Sequence, residues 1–170
     1  MNSIFLGNRI ESLFVLQKFT NVETIITNKG SYVDRHIFEK KRINYINKKN
    51  YKKIFFIIKN TKAKLILSVG FPKIIPEKFL PKNKFLINSH PSLLPKYKGY
   101  RPVLDAIRDK QEYVGVTTHF LSKELDSGKI ISQKKFFMGK KKNPKQIHRM
   151  LFSIIEPNNL RKTLERFVKK

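Results

Sequence analysis

The sequence predicts an α/β fold: a mostly parallel sheet with flanking helices and an antiparallel pair at one edge. Three stretches carry that expectation. Ser3 to Leu6 is a strand-like run followed by Gly7-Asn8 and a helical pattern, which together open a strand–turn–helix unit. Lys64 to Val69 is a short, nearly continuous apolar run closed by Gly70, the pattern of a strand buried on both faces. Phe85, Leu86 and Ile87 form another such run, and the polar residues Asn88 and His90 follow where the strand is expected to emerge into a loop. In open α/β sheets ligands bind outside that end of the strands.

The remaining elements follow in order. Ile10, Leu13, Phe14 and Gln17 fall three or four apart and predict a first helix with these residues on one face. Val22 to Thr27 predicts a second strand ending in a turn at Asn28-Lys29-Gly30, and residues 31–41 are polar and expected to be irregular. Ile43 to Ile46 predicts a short strand. Tyr51, Ile54, Phe55 and Ile58 predict a helix over residues 50–60, with that stripe as core packing. Pro91, Pro95 and Gly99 hold a stiff, non-helical excursion, because proline locks φ and glycine reaches conformations other residues avoid. Arg101 to Arg108 predicts a helix with proline in its first turn, where the missing N–H costs nothing, and with Val103, Leu104 and Ile107 turned inward. Tyr113 to Leu121 and Lys129 to Phe137 alternate apolar and polar residues and predict the antiparallel pair, whose connection carries Asp126. Lys140 to Lys145 reads as a solvated loop. Two helices follow, around Gln146 to Ile155 and over Pro157 to Val168, the second with the stripe Leu160, Leu164 and Phe167.

At 170 residues and 40% hydrophobic content, residues 1–170 are read as a single domain with an ordinary core. No apolar run approaches the ~18 residues a membrane span needs, and the N-terminus lacks the pattern of a secretory signal, so a cytoplasmic protein with no membrane partner is expected. The absence of cysteine excludes disulfides, thiolate zinc sites and a Cys nucleophile. The formal charge of +25, from 37 Lys and Arg against 12 Asp and Glu, favours anionic ligands. Its spread along the whole chain reads chiefly as a solvated basic surface.

Two motifs concentrate the chemistry. The first is Asn-x-His-Pro-Ser-Leu-Leu-Pro-x-Tyr-x-Gly, Asn88 to Gly99; the second is His-x6-Asp-x-Gly-x-Ile-Ile-x-Gln, His119 to Gln133. In this order they resemble the catalytic domain of the 10-formyltetrahydrofolate-dependent formyltransferases. That family includes glycinamide ribonucleotide formyltransferase, methionyl-tRNA formyltransferase and the amino-sugar N-formyltransferases. The resemblance implies a Rossmann-like formyltransferase fold, 10-formyltetrahydrofolate as formyl donor and no metal. It also implies that Asn88, His90 and Asp126 are the catalytic residues. Phe71, Lys73, Ile74 and Ile75 follow as contacts of the folate pterin, although Ile74 and Ile75 equally suit a role in covering the sheet. His119 is assigned to ligand contact or to support of the Asp126 loop. Gly7 and Asn8 stand where the purine-pathway enzyme carries a longer Gly-rich phosphate loop, a departure that counts against its substrate.

Formyl transfer between amines is acyl transfer, which requires oxyanion stabilisation and movement of protons from the attacking amine to the leaving nitrogen. Asn88 offers an amide donor to the formyl oxygen, and His90 offers a second donor that is strongest when charged. Asp126 would favour that charged imidazole and orient it. Ser92 and Ser122 have no activating neighbour in the sequence, and the acceptor amine attacks directly. A zinc site from His90, His119 and Asp126 is set aside because no close-spaced His pair is present. His36 and His148 are read as surface residues.

The expected acceptor is a small, anionic primary amine such as glycinamide ribonucleotide or an amino-sugar nucleotide. Methionyl-tRNA comes second, because methionyl-tRNA formyltransferases carry an additional C-terminal tRNA-binding domain and residues 1–170 are read as the catalytic domain alone. Two rival classes are a non-catalytic, basic nucleic-acid-binding protein on the same scaffold and a hydrolase releasing formate from the same folate. The first predicts binding with steep salt dependence; the second predicts formate release without an amine.

Overall fold

The computed structural model describes residues 1–36, 43–139 and 143–168. The chain divides into two compact units, residues 1–87 and 88–170. The predicted irregular stretch beyond residue 36 and the first three residues of the Lys140–Lys145 loop lie outside the described residues.

The first unit alternates strand and helix: β1 (Asn2–Gly7), α1 (Ile10–Phe19), β2 (Asn21–Thr27), α2 (Tyr32–His36), β3 (Ile43–Tyr45), α3 (Tyr51–Asn60) and β4 (Leu65–Val69). The strands lie in the order β3-β2-β1-β4, and β3 with β2, β2 with β1 and β1 with β4 all pair in parallel. Next comes the first half of β5 (Phe85–His90), where the Phe85 N–H donates to Lys64 O at 2.9 Å. All five β4 residues are buried, as the continuous apolar run requires. Gly7 closes β1 against β4. A Cβ there would sit 1.9 Å from Val69 O, and φ is +140°, so only glycine fits. Ile4, Leu6, Ile26, Ile54, Ile58 and Ile66 anchor an apolar cluster on one face.

Three expectations change in this unit. Residues 32–36 form a short helix, in which Asp34 accepts from Gly30 N–H and from the Tyr45 hydroxyl, so local polar bonds order a stretch without apolar periodicity. In α1 the buried residues are Ile10, Ser12, Leu13, Val15 and Leu16, whereas Phe14 is 46% exposed. The helix is rotated so that the small Ser12 packs inward, and the apolar spacing alone did not reveal it. Similarly, Ile54, Phe55 and Ile58 of α3 are buried while Tyr51 stays at the surface.

The second unit contains the end of β5, α4 (Pro102–Arg108), β6 (Tyr113–Phe120), β7 (Ile130–Phe137), α5 (Pro144–Met150), a wide π-type turn (Leu151–Ile155) and α6 (Glu156–Val168). Its strands lie in the order β5-β6-β7, with β6 and β7 antiparallel, as alternation predicts. Val103, Ala106, Val114, Val116, Ile147 and Leu151 form its apolar core. The inward face of α4 is Pro102, Val103 and Ala106; Leu104 is 42% exposed and Ile107 only partly buried, because the small alanine lets the helix approach the sheet. Each strand also sends a buried hydroxyl to α6: Ser89 to Glu156 at 2.9 Å, Thr118 to Thr163 at 2.7 Å and Ser132 to Asn159 at 2.8 Å. Leu160 and Leu164 are fully buried, and Phe167 meets Phe120 edge-on.

No described helix is long and apolar enough to cross a membrane.

Candidate active site

Asn88, His90, His119 and Asp126 all belong to the second unit, and the fold brings them together. β5 extends through His90, so Asn88 and His90 are strand residues rather than loop residues. Two apart on one strand, they share a face. His119 is the penultimate residue of β6, where the β6–β7 register shifts between Thr118 and His119. Asp126 lies in the connection to β7 with φ +49°, a left-handed conformation that Asp tolerates better than most residues. Gly128 makes this turn possible: a Cβ there would fall 1.7 Å from Phe120 O.

Asp126 is the centre of the cluster. One oxygen, Oδ2, accepts from Gly99 N–H at 2.9 Å and lies 3.3 Å from His90 Nδ1. The other, Oδ1, lies 3.4 Å from Asn88 Nδ2 and 3.6 Å from His119 Nε2. His90 Nε2–H donates to Tyr97 O at 2.8 Å, leaving Nδ1 to face the carboxylate. His119 Nδ1–H donates to Phe120 O at 2.9 Å, so its Nε2 is the acceptor for the Asn88 amide at 3.1 Å. Both amide hydrogens of Asn88 are thus directed into the cluster.

Burial pushes the His90 imidazole below its ordinary value of 6.5, against the upward pull of Asp126 and of the Tyr97 carbonyl, with His119 adding to the fall. Asp126 favours the charged ring, and the desolvation of a residue only 5% exposed outweighs that pull. Burial also pushes the Asp126 carboxyl up, but the two imidazoles in their protonated forms, His119 by hydrogen bond and His90 by charge, together with the Gly99 N–H, prevail and hold it below the ordinary carboxylate value. Asp126 is accordingly ionised and His90 neutral near pH 7.

Residues outside the predicted set hold this geometry. Tyr97, at φ +57°, turns its carbonyl to His90. The Thr117 hydroxyl donates to Ser92 O at 2.7 Å and accepts from Leu94 N–H at 3.1 Å, and Gln133 Nε2 donates to Leu94 O at 2.7 Å. Gln133 closes the second motif and is the register partner of Thr117 across β6 and β7; Thr117 is buried and Gln133 exposed, so an inward polar residue on an alternating strand marks Thr117 alone. Ser92 donates to Lys96 O and Ser122 to Glu124 O, so both hydroxyls serve turns.

The other predicted residues lie in the first unit. Phe71 and Ile75 are half-buried and pack against its apolar cluster, whereas Lys73 and Ile74 are exposed. Asn8 follows β1, and its Oδ1 is buried with no hydrogen-bond partner among the described residues. His36 is exposed and stacks on Tyr32; His148 is half-buried and stacks on Phe152. Among the described residues, no group of three or more His, Cys, Asp or Glu side chains is arranged to hold a metal ion.

A family model described as formyl transferase matches residues 13–153. The chain belongs to the formyl transferase family. The methionyl-tRNA formyltransferase of Staphylococcus epidermidis is 37% identical to it over 109 residues, 64% of this chain and 35% of that protein. The chain thus spans about a third of the length of that curated relative. Among solved structures, the phosphoribosylglycinamide formyltransferase of Anaplasma phagocytophilum matches 99% of this chain and 86% of its own, with a TM-score of 0.84 and 22% identity. A formyltetrahydrofolate deformylase from Pseudomonas syringae matches 99% of this chain and 61% of its own, with a TM-score of 0.80 and 18% identity. These likenesses show the formyltransferase fold, with its mostly parallel sheet and antiparallel pair.

Proposed function

We propose that this chain is a formyltransferase catalytic domain that moves a formyl group from 10-formyltetrahydrofolate to a primary amine of a small-molecule acceptor. The observation that carries the proposal is the buried Asn88–His90–Asp126–His119 cluster, in which an ionised carboxylate faces a neutral imidazole. Such a pair offers a free imidazole nitrogen, beside an anion, to the proton that an attacking amine must give up.

The donor chemistry fits the residues present. The folate supplies the formyl group, and direct attack by the amine needs no covalent nucleophile. Asn88 donates to the formyl oxygen by releasing its longer bond, the 3.4 Å contact to Asp126, while keeping the 3.1 Å bond to His119. His119 therefore orients the Asn88 amide. His90 Nδ1 receives the amine proton, directly or through a water held by Asp126, and returns it to the leaving nitrogen. Lys73 and Ile74, exposed on the loop after β4, are the folate contacts we favour, with Phe71 and Ile75 supporting them from the core.

Glycinamide ribonucleotide and an amino-sugar nucleotide are the acceptors placed first. Methionyl-tRNA is the second reading, favoured by the 37% identity to a methionyl-tRNA formyltransferase. The test is release of tetrahydrofolate by the purified protein with each acceptor supplied separately, beside an amine-free control. Release with one acceptor alone supports transfer and names the substrate. Equal release without amine points to hydrolysis, and no release under any condition overturns the proposal.

A further inference from the structure

A cavity of about 340 Å³ opens in the second unit beside the proline-rich loop that follows His90. It falls within the size range of small-molecule sites, roughly 300–1,000 Å³. Pro91, Leu93, Pro95, Pro102, Ala106 and Val114 give it an apolar lining. Tyr97 and Tyr113 add aromatic walls. Ser92 and Gln111 are its neutral polar residues and Lys96 and Lys135 its charged ones; both lysines are exposed, and Lys135 Nζ lies 3.6 Å from the Tyr113 ring centroid. Flat apolar walls with two ammonium groups at the mouth match a ring bearing one acidic group.

The loop that lines this cavity also holds the catalytic cluster. Pro91 follows His90 directly, and Tyr97 lines the cavity with its side while its carbonyl accepts from His90 Nε2–H at 2.8 Å. Thr117 and Gln133 tie Ser92 and Leu94 to β6 and β7, so the loop is held against both strands. We propose that the cavity is an effector site for a small aromatic acid, whose occupancy acts on His90 through the Tyr97 carbonyl.

The test needs no formyl donor or acceptor, so its outcome is separable from that of the formyl-transfer proposal. Phenyl phosphate is titrated against the full chain by calorimetry at constant ionic strength, with inorganic phosphate and benzyl alcohol as comparisons. The expected result is one saturable site that prefers phenyl phosphate at least ~10-fold over either comparison. Lys135→Glu and Lys96→Glu, both at exposed positions, are each expected to weaken it by ~10-fold or more. The His90 ring proton resonances, assigned by comparison with His90→Gln, are expected to shift on saturation in the parent protein. Equal affinity for inorganic phosphate or benzyl alcohol, or binding indifferent to both lysine substitutions, would overturn the site. His90 resonances that stay fixed at saturation would overturn the coupling.

Discussion

The two halves of the chain bury different chemistry. Among the described residues, the polar residues buried as a whole in 1–87 all carry hydroxyls: Ser3, Ser12, Thr20, Thr27 and Ser68. Residues 88–170 bury His90, His119, Asp126, Glu156 and Asn159 besides their hydroxyls. A hydroxyl is satisfied by one nearby acceptor, as Thr20 is by Leu16 O. A buried carboxylate or imidazole needs several placed partners, and it destabilises the fold when one is lost. The first half is thus a framework set by apolar burial, and the second maintains an electrostatic arrangement. Substitutions should separate stability from turnover along that division.

The largest expected effect is on turnover. Asp126→Asn should lower formyl transfer by ~10²–10⁴-fold, the range for loss of a general acid–base group, while the far-ultraviolet circular dichroism spectrum stays that of the parent. His90→Ala should match it. Near-normal turnover in either variant would break the assignment of chemistry to the second half. Leu67→Ala, in the middle of β4 and fully buried, should cost ~2–5 kcal/mol in urea unfolding, with turnover per folded molecule unchanged. A large loss of turnover in still-folded Leu67→Ala protein would blur the comparison.

A smaller effect is expected from pH. The folded-state value of His90 is lowered, so below its ordinary value of 6.5 the unfolded chain binds the proton more readily than the folded one. Stability is then fully present above about 6.5 and declines as pH falls towards the lowered folded value. Asp126 is also lowered, so its contribution is present above the ordinary carboxylate value of 3.8 and is lost as pH falls through the folded value. The urea midpoint should therefore fall between pH 7.5 and 5.5, and His90→Gln should flatten that dependence. An unchanged slope in His90→Gln would place the titration elsewhere. The smallest effect sharpens the comparison within the second half. Asn143 caps α5 by accepting from the Lys145 and Gln146 N–H groups, and Asn143→Ala should cost ~1 kcal/mol with turnover unchanged.

Legibility in the sequence divides along physical lines. Strands such as β4 were readable because burial on both faces demands an unbroken apolar run, and β6 and β7 because a half-buried pair alternates. Asn88, His90 and Asp126 were readable because they sit in motifs spaced around a proline-rich loop and an Asp-x-Gly turn. Helix facing was read less well. Phe14 and Leu104 look like core residues by spacing, yet both are exposed, because a small Ser12 or Ala106 allows a closer approach than a large side chain.

By itself, then, the sequence determined the alternation of elements, the polar residues at the end of β5 and the turn that carries Asp126, since local spacing and backbone preference suffice for each. The tertiary structure alone decided the charge state of His90 and the direction of the Asn88 amide. Both depend on distances between β5, β6 and their loops and on the exclusion of water from His90, quantities set when segments distant in the chain close together.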